Sequence, residues 1–319
     1  MTGIYEMPIS APAARSVLRR ARVRRAYLLS ATVFAALALA GMAGAKPVSR
    51  SATAAVPASA ASDAVPRDRY PRAAVAYAAM VDGALVWGRN LDMRREPASL
   101  TKLLTALVVL ESNWQPDAVL TVSHEAAHIN RARVGLHTDD TVRAEDALNA
   151  MLMYSANDAC MVLAQSVSPS REEFVRKMNV KAEQLGLKDS HFMHPCGFDT
   201  EGQYSTARDL LRLALAAHAN PEIARIVQQS QGSLTTGKGR VIPFHSTNQL
   251  LGRVDGVMGL KTGFTAQAGR CLIAVAEQDG HRVWLVLLDS HQRWNTARRI
   301  ITDAFTSTTR VATNRSAHL

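Results

Sequence analysis

The chain has 319 residues, with 37 Lys+Arg against 27 Asp+Glu, a formal net charge of +10, 47% hydrophobic and 20% charged residues. This is globular usage, long enough for one large domain or two modest ones, and it excludes a disordered, collagenous or disulfide-scaffold chain and a multi-span membrane protein. The excess of positive charge would ordinarily raise nucleic acid or an anionic surface as partner, but its placement argues otherwise.

Six of the arginines and one acid, Glu6, fall between Met1 and Arg25. An uncharged apolar run follows from Ala26 to Ala45 and closes on Ala43-Gly44-Ala45. Basic start, apolar middle and small-residue exit describe a secretory signal over residues 1–45, cleaved after Ala45. The alternative is a retained anchor, because the 20 residues of the run are just enough to span a bilayer; membrane contact is expected only in that case. Arg24-Arg25 also raises twin-arginine export. Residues 46–319 keep 31 basic and 26 acidic side chains, a net +5, and no nucleic-acid motif accompanies them. Residues 46–67 are rich in Ala, Ser and Pro and read as a linker. The folded domain is expected over 68–306, with a tail at 307–319.

Ala73 to Val81 and Ala84 to Arg89 are β-rich runs joined by Asp82-Gly83, a hairpin signal. Pro97-Ala98-Ser99 breaks the chain before an apolar helix from Leu100 to Glu111. Helices are expected over Val142 to Met153 and Ala159 to Val167, with a break at Tyr154 to Asp158. Arg171 to Leu185 is an amphipathic helix stopped by Gly186. Ser205 to Asp209 resembles a capping box ahead of a helix from Leu210 to His218, and Pro221 opens another. Arg270 to Gln278 and Arg282 to Leu288 flank Asp279-Gly280 as a second hairpin, and Asn295 to Phe305 closes the chain as a helix. Strands at both ends and helices between them indicate an α+β domain whose sheet is assembled from both termini. The three cysteines, Cys160, Cys196 and Cys271, are too few for a framework and are expected as buried free thiols, although export would permit one disulfide.

Three short motifs carry chemistry. Ser99-Leu100-Thr101-Lys102 puts a hydroxyl and an amine on one helix face, with Cβ atoms about 5 to 6 Å apart. A serine needs a base to become nucleophilic, and a lysine supplies one if burial or a second cation keeps it neutral. The helix start also presents N–H groups to a developing oxyanion. Ser155-Ala156-Asn157 lies in the break between two helices, where its side chains point out of a loop. Lys261-Thr262-Gly263 lies ahead of a strand run; there a cation and a hydroxyl suit a carboxylate, and a glycine lets substrate backbone approach. Taken singly, the first reads equally as an N-cap followed by a solvated lysine and the second as a capped turn. Together they occur once each, in that order, with gaps of 56 and 106 residues.

This set resembles that of the penicillin-binding proteins and serine β-lactamases. More narrowly, Pro97 to Ala106, Ser155 to Ala159, Tyr204 to Leu210, Thr247-Asn248 and Lys261 to Thr265 are similar to the low-molecular-mass D-alanyl-D-alanine carboxypeptidases and endopeptidases, peptidase family S11. The resemblance spans about Ala73 to Phe305. It implies a β-lactamase/transpeptidase-like fold, an antiparallel sheet packed with helices plus a mostly helical subdomain carrying the S-x-N loop. It further implies that Ser99 attacks the carbonyl between two D-alanines, that Lys102 is its base, and that Ser155 passes a proton to the leaving amine. Asn157 would hold the peptide, Lys261 and Thr262 the terminal carboxylate, and the N–H groups of Ser99 and Phe264 the oxyanion. Implied partners are peptidoglycan stem peptides and covalently bound β-lactams, with no metal or cofactor, in the periplasm or cell envelope. The expected activity is that of a carboxypeptidase trimming the terminal D-alanine of stem peptides, with an endopeptidase cutting cross-bridges as the alternative. A β-lactamase reading is weakened because no E-x-x-L-N segment lies between Asn157 and Lys261, so slow release of penicillin is expected.

A rival motif is His124-Glu125-Ala126-Ala127-His128, a literal H-E-x-x-H that on a helix could hold zinc. Its extended form fails, with Arg131 and Val134 where Gly and a third His belong, and Glu145 is the imaginable third ligand. A solvated helix with incidental histidines is the expected reading. A penicillin-binding sensor without turnover is the third class, and no lost catalytic position marks it.

Overall fold

The computed structural model describes residues 66–316, with side chains through residue 308. The signal segment and nearly all of the linker lie outside the described residues.

The front hairpin forms as β1 (Ala76–Val81) and β2 (Ala84–Arg89), turning through Asp82 and Gly83 at φ 49° and 84°. After a 3₁₀ turn, Ala98–Thr101, comes α1 (Lys102–Leu110), then β3 (Val119–Thr121), α2 (His124–His128), β4 (Thr141–Arg143) and α3 (Ala144–Asn149). One π turn, Ala150–Tyr154, leads into α4 (Asn157–Val167), followed by α5 (Arg171–Gln184), α6 (Ala207–Ala219) and α7 (Pro221–Val227). The hairpin β5 (Gln231–Thr235) and β6 (Val241–His245) precedes β7 (Val257–Thr265), β8 (Gly269–Gln278), β9 (His281–Leu288) and α8 (Arg293–Ser316).

The main sheet has the order β2-β1-β9-β8-β7, antiparallel throughout. The N-terminal hairpin therefore pairs with the C-terminal strands, as the positions of the sequence's strand runs suggested. Period-2 alternation sorts the side chains to two covered faces. Tyr77, Ala79, Leu272, Ala274, Val283, Leu285 and Leu287 pack with α8. Ala76, Ala78, Ile273, Val275, Trp284, Val286 and Leu288 pack with the helices of the middle of the chain. Helix α8 supplies Ala297, Ile300, Ile301, Ala304 and Phe305 to the first face, the i, i+3, i+4, i+7, i+8 stripe of a docked amphipathic helix. It continues past Phe305 to Ser316, where the sequence indicated a tail, since no Gly or Pro interrupts it.

Several expected elements take a different form. The single helix over Val142 to Met153 is instead β4, α3 and a π turn, because β-branched Thr141 and Val142 pair with β3. The motif Lys261-Thr262-Gly263 lies inside β7, not ahead of a strand; two glycines, Gly259 and Gly263, hide this edge strand from a pattern search. Hairpin β5–β6 is additional to the sequence reading.

Candidate active site

Helix α1 is apolar on every side, and its residues Lys102 to Val109 are all buried. A lysine on its first turn is therefore carried into the interior, and Lys102 is 0% exposed. The preceding turn holds Ser99, which is partly exposed; Ala98 before it adopts φ 49°, an uncommon conformation for a residue with a Cβ. Pro97, not Ser99, occupies the N-cap of this turn, and the Ser99 hydroxyl pairs with Lys102.

The Lys102 Nζ has three neighbours: Ser99 Oγ at 3.0 Å, Asn157 Oδ1 at 2.8 Å and the Cys196 carbonyl at 2.8 Å. An ammonium would donate to all three. A neutral amine has two N–H groups and one lone pair, and the two carbonyl oxygens take the N–H groups, so the lone pair faces the serine hydroxyl. The Asn157 amide is oriented for this, since its Nδ2 donates to the Asn130 carbonyl at 2.9 Å and its Oδ1 is left for the lysine. Backbone bonds repeat the tie, with Asn157 N–H donating to the Ala132 carbonyl at 2.8 Å. The segment is fixed further by buried Asp158, which accepts from the N–H groups of Val134, Gly135 and Leu136 at 3.2, 2.9 and 3.0 Å.

The S-x-N loop forms where the π turn ends. Ser155 caps it in the left-handed region, φ 69°, and α4 begins at Asn157. Widening a helix by one residue re-aims the side chains that follow, so Asn157 points at Lys102. Ser155 is 8% exposed, and its hydroxyl makes no hydrogen bond to a described residue.

Strand β7 closes the other side. A Cβ added to Gly263 would stand 3.1 Å from Ala98 Cβ and 3.3 Å from Ser99 N, so the third residue of K-T-G lies directly against the serine turn and leaves little room for a side chain. The Thr262 hydroxyl is 2.6 Å from that of Thr247, whose N–H donates to the Met153 carbonyl at 3.0 Å, in the π turn. Lys261 is 1% exposed and donates to the Thr262 carbonyl at 3.2 Å. Phe264 is 61% exposed on this edge strand. Ser99, Lys102 and Asn157 are thus joined by hydrogen bonds, β7 is packed on their turn, and Ser155 lies two residues before Asn157 at the end of the π turn.

The electrostatics favour a neutral Lys102 amine. Burial first, and the neighbouring Lys261 charge second, hold Lys102 well below the usual lysine range, with Asp158 opposing. Burial, then Arg293, lower Lys261 to about 7. Burial and the charges of Arg171 and Lys102 lower His194 to about 3, and its Nδ1 accepts from the Cys196 N–H at 3.1 Å, which a neutral ring can do.

Several groups escaped the sequence reading. Arg293 donates to the Gly263 and Cys271 carbonyls at 2.8 and 3.1 Å, placing a guanidinium behind K-T-G; an arginine opening a helix carries no signal of that role. Arg131 and Asp199 lie 3.8 Å apart, between the Asn130–Ala132 segment and the loop after Cys196. Gly197, at φ 76°, rests on the serine turn, where a Cβ would collide with the Ala98 carbonyl. The expectation of three buried thiols is corrected. Cys160 and Cys196 form a disulfide with Cα atoms 6.0 Å apart, within ordinary disulfide reach, and only Cys271 is a buried free thiol. Residues 36 apart in sequence give no pattern from which to read that pairing.

The rival motif forms a five-residue helix capped by Ser123. The rings of His124 and His128 stack at 4.1 Å. Glu125 accepts from Gln165 at 3.0 Å and lies 3.6 Å from Arg171, while Glu145 pairs with Arg143 and Arg225. Among the described residues no three His, Cys, Asp or Glu side chains gather as a metal site.

A family model described as D-alanyl-D-alanine carboxypeptidase, peptidase family S11, matches residues 70–292. The D-alanyl-D-alanine carboxypeptidase DacF of Bacillus subtilis is 32% identical over 210 residues, 64% of this chain and 54% of that protein. A D-alanyl-D-alanine endopeptidase of Pseudomonas aeruginosa is 34% identical over 225 residues, 66% of this chain and 69% of its own length. The chain thus spans about half the length of the first of these relatives. Among solved structures, a DD-transpeptidase of Streptomyces superposes with TM-score 0.70 at 30% identity, covering 75% of this chain and 100% of that one. A penicillin-binding protein of Listeria monocytogenes in its ampicillin-bound form gives TM-score 0.63 at 31% identity, with the same coverage.

Proposed function

The chain belongs to the D-alanyl-D-alanine carboxypeptidase family, peptidase family S11, and from that premise we propose that it is an exported serine D,D-carboxypeptidase removing the terminal D-alanine of peptidoglycan stem peptides. The observation that carries the reading is the Lys102 amine, buried and flanked by two carbonyl acceptors, with its third direction on Ser99 Oγ at 3.0 Å.

In this reading the Ser99 hydroxyl gives its proton to Lys102 while Oγ bonds to the carbonyl carbon between the two D-alanines. The oxyanion is met by the N–H groups of Ser99, in a first helical turn where such donors lack intrahelical partners, and of Phe264 on β7. Collapse of the adduct breaks the peptide bond, and the leaving amine takes its proton from Lys102 through Ser155. Water then attacks the acyl-Ser99 ester and releases the shortened peptide. Asn157 fixes the base and meets the incoming peptide. Thr262, Lys261 and the Arg293 field behind them suit the terminal carboxylate. A β-lactam enters as the same acyl donor, and no metal or cofactor takes part in the scheme.

Export rests on residues 1–45, read as a signal with a retained anchor as the alternative. No helix among the described residues is long and apolar enough to cross a membrane. Endopeptidase action on cross-bridges is the second reading, favoured by the resemblance to the Pseudomonas endopeptidase, of which the chain covers 69%. Digestion of purified muropeptides separates the two by product mass. Free D-alanine from pentapeptides supports the carboxypeptidase; conversion of dimers to monomers without release of D-alanine overturns it in favour of the endopeptidase.

A further inference from the structure

The two acceptors that set the direction of the Lys102 lone pair belong to different parts of the chain. Asn157 is the first residue of α4, and Cys196 lies in the loop between α5 and α6. The disulfide joins these two parts, since Cys160 stands one turn into α4 and Cys196 is the acceptor residue itself. From the side of α1 the loop is held by Thr105 Oγ1, which donates to the Pro195 carbonyl at 2.6 Å. Within the loop, Cys196 N–H donates to His194 Nδ1 and Gly197 N–H to the His194 carbonyl at 3.2 Å. From the side of α4 it is held through the Cys196 sulfur, which also lies 3.7 Å from the Asn157 carbonyl. Both half-cystines are buried, at 0% and 1% exposure.

We propose that the Cys160–Cys196 disulfide is a positioning element for the catalytic base, so that the enzyme reaches its full acylating rate only once the bond has closed outside the reducing cytoplasm. If the Cys196 carbonyl drifts from Lys102, one N–H of the neutral amine loses its acceptor and the amine turns about its Cε–Nζ bond. The lone pair then spends less time on the Ser99 hydroxyl. Closing the bond removes two protons and two electrons from the thiols and passes them to a partner disulfide, which becomes a dithiol; this exchange is favoured in exported compartments and opposed in the cytoplasm. The inference rests on the reading of Ser99 and Lys102 as nucleophile and base.

The test is stopped-flow acylation by a reporter penicillin, which separates the pre-covalent dissociation constant from the acylation rate constant. The forms compared are the oxidised wild type, the wild type reduced by a water-soluble phosphine, and the double variant Cys160→Ala/Cys196→Ala, with folding checked by circular dichroism below the melting transition. Phosphine and water convert the disulfide to two thiols and phosphine oxide. The expected result is an acylation rate constant about tenfold lower in the reduced and double-variant forms, an unchanged dissociation constant, and recovery of the reduced form on reoxidation. A purely structural bond would lower the melting temperature and leave the rate constant of folded protein untouched, and that result overturns the inference. Should the double variant not fold, the reduced wild type decides. Cys271→Ala is expected to behave as wild type and to keep its sensitivity to the phosphine. Absence of any covalent adduct in the oxidised wild type would instead sink the functional reading on which the inference stands.

Discussion

The two faces of the central sheet solve different problems. The face under α8 is closed by Leu272, Leu285, Leu287, Ile300 and Ile301, each 0% exposed, and is apolar apart from the hydroxyls of Tyr70 and Tyr77, which donate to Asp303 and Asp68. The opposite face packs against a larger apolar cluster and also buries two lysines, an aspartate and an asparagine: Lys102, Lys261, Asp158 and Asn157. Burying a charge without partners costs several kcal/mol, and this region meets the cost in two ways. Asp158 is saturated by backbone N–H groups, whereas burial lowers the proton affinity of both lysines, Lys102 the more strongly because Lys261 lies beside it. The first face stores stability, and the second gives some of it up to hold an amine neutral beside a hydroxyl.

Substitutions should therefore separate stability from chemistry. The largest effect is expected from Lys102→Met, which removes the proton acceptor yet keeps an unbranched chain in the cavity. Acylation by penicillin should fall by about 10³-fold or more, while the melting temperature holds or rises, because a buried amine has been replaced by a thioether. Leu285→Ala should do the reverse. A deletion in the apolar face costs roughly 2 to 5 kcal/mol, read by denaturant titration, and acylation by the folded fraction should stay at the wild-type rate. Equal damage to both properties in either variant would break the distinction between the faces.

A smaller effect sharpens it. Lys261 falls to about 7 in the folded protein from an ordinary 10.5, so between those pH values the unfolded chain binds the extra proton and stability rises with pH. The penalty is fully present below about 7 and has gone above about 10.5. Lys261→Met removes it, so the gain in melting temperature over wild type should be larger at pH 6 than at pH 10. A gain independent of pH would show that the lysine is not desolvated.

The α8 face was legible in the sequence almost in full, because β8, β9 and the stripe Ala297, Ile300, Ile301 follow simple periods and Asp279-Gly280 marks the hairpin. On the other face the three motifs were legible as residues, but the strand that carries Lys261 was not, since glycines break its pattern. Nor was the π turn, whose residues Ala150 to Met153 read as ordinary helix and whose last residue, Tyr154, read as the start of the break. The acceptor opposite Asn157 is a backbone carbonyl, that of Cys196, and a carbonyl has no sequence signature. Its covalent link to Cys160 depends on the path of two distant segments, so composition favoured free thiols and the fold brought two of them together. Arg293 likewise matters through where β7 runs, not through its neighbours in sequence. The H-E-x-x-H match shows the converse, a legible motif whose glutamate the fold commits to Gln165 and Arg171.

The central claim is that Ser99 is the nucleophile that Lys102 activates. Peptide mapping by mass spectrometry after brief exposure to benzylpenicillin tests it directly. One penicilloyl group should appear per molecule, on the peptide containing Ser99, and none should form on Ser99→Ala; an adduct on Ser155 or elsewhere, or one that persists in the variant, would contradict the account.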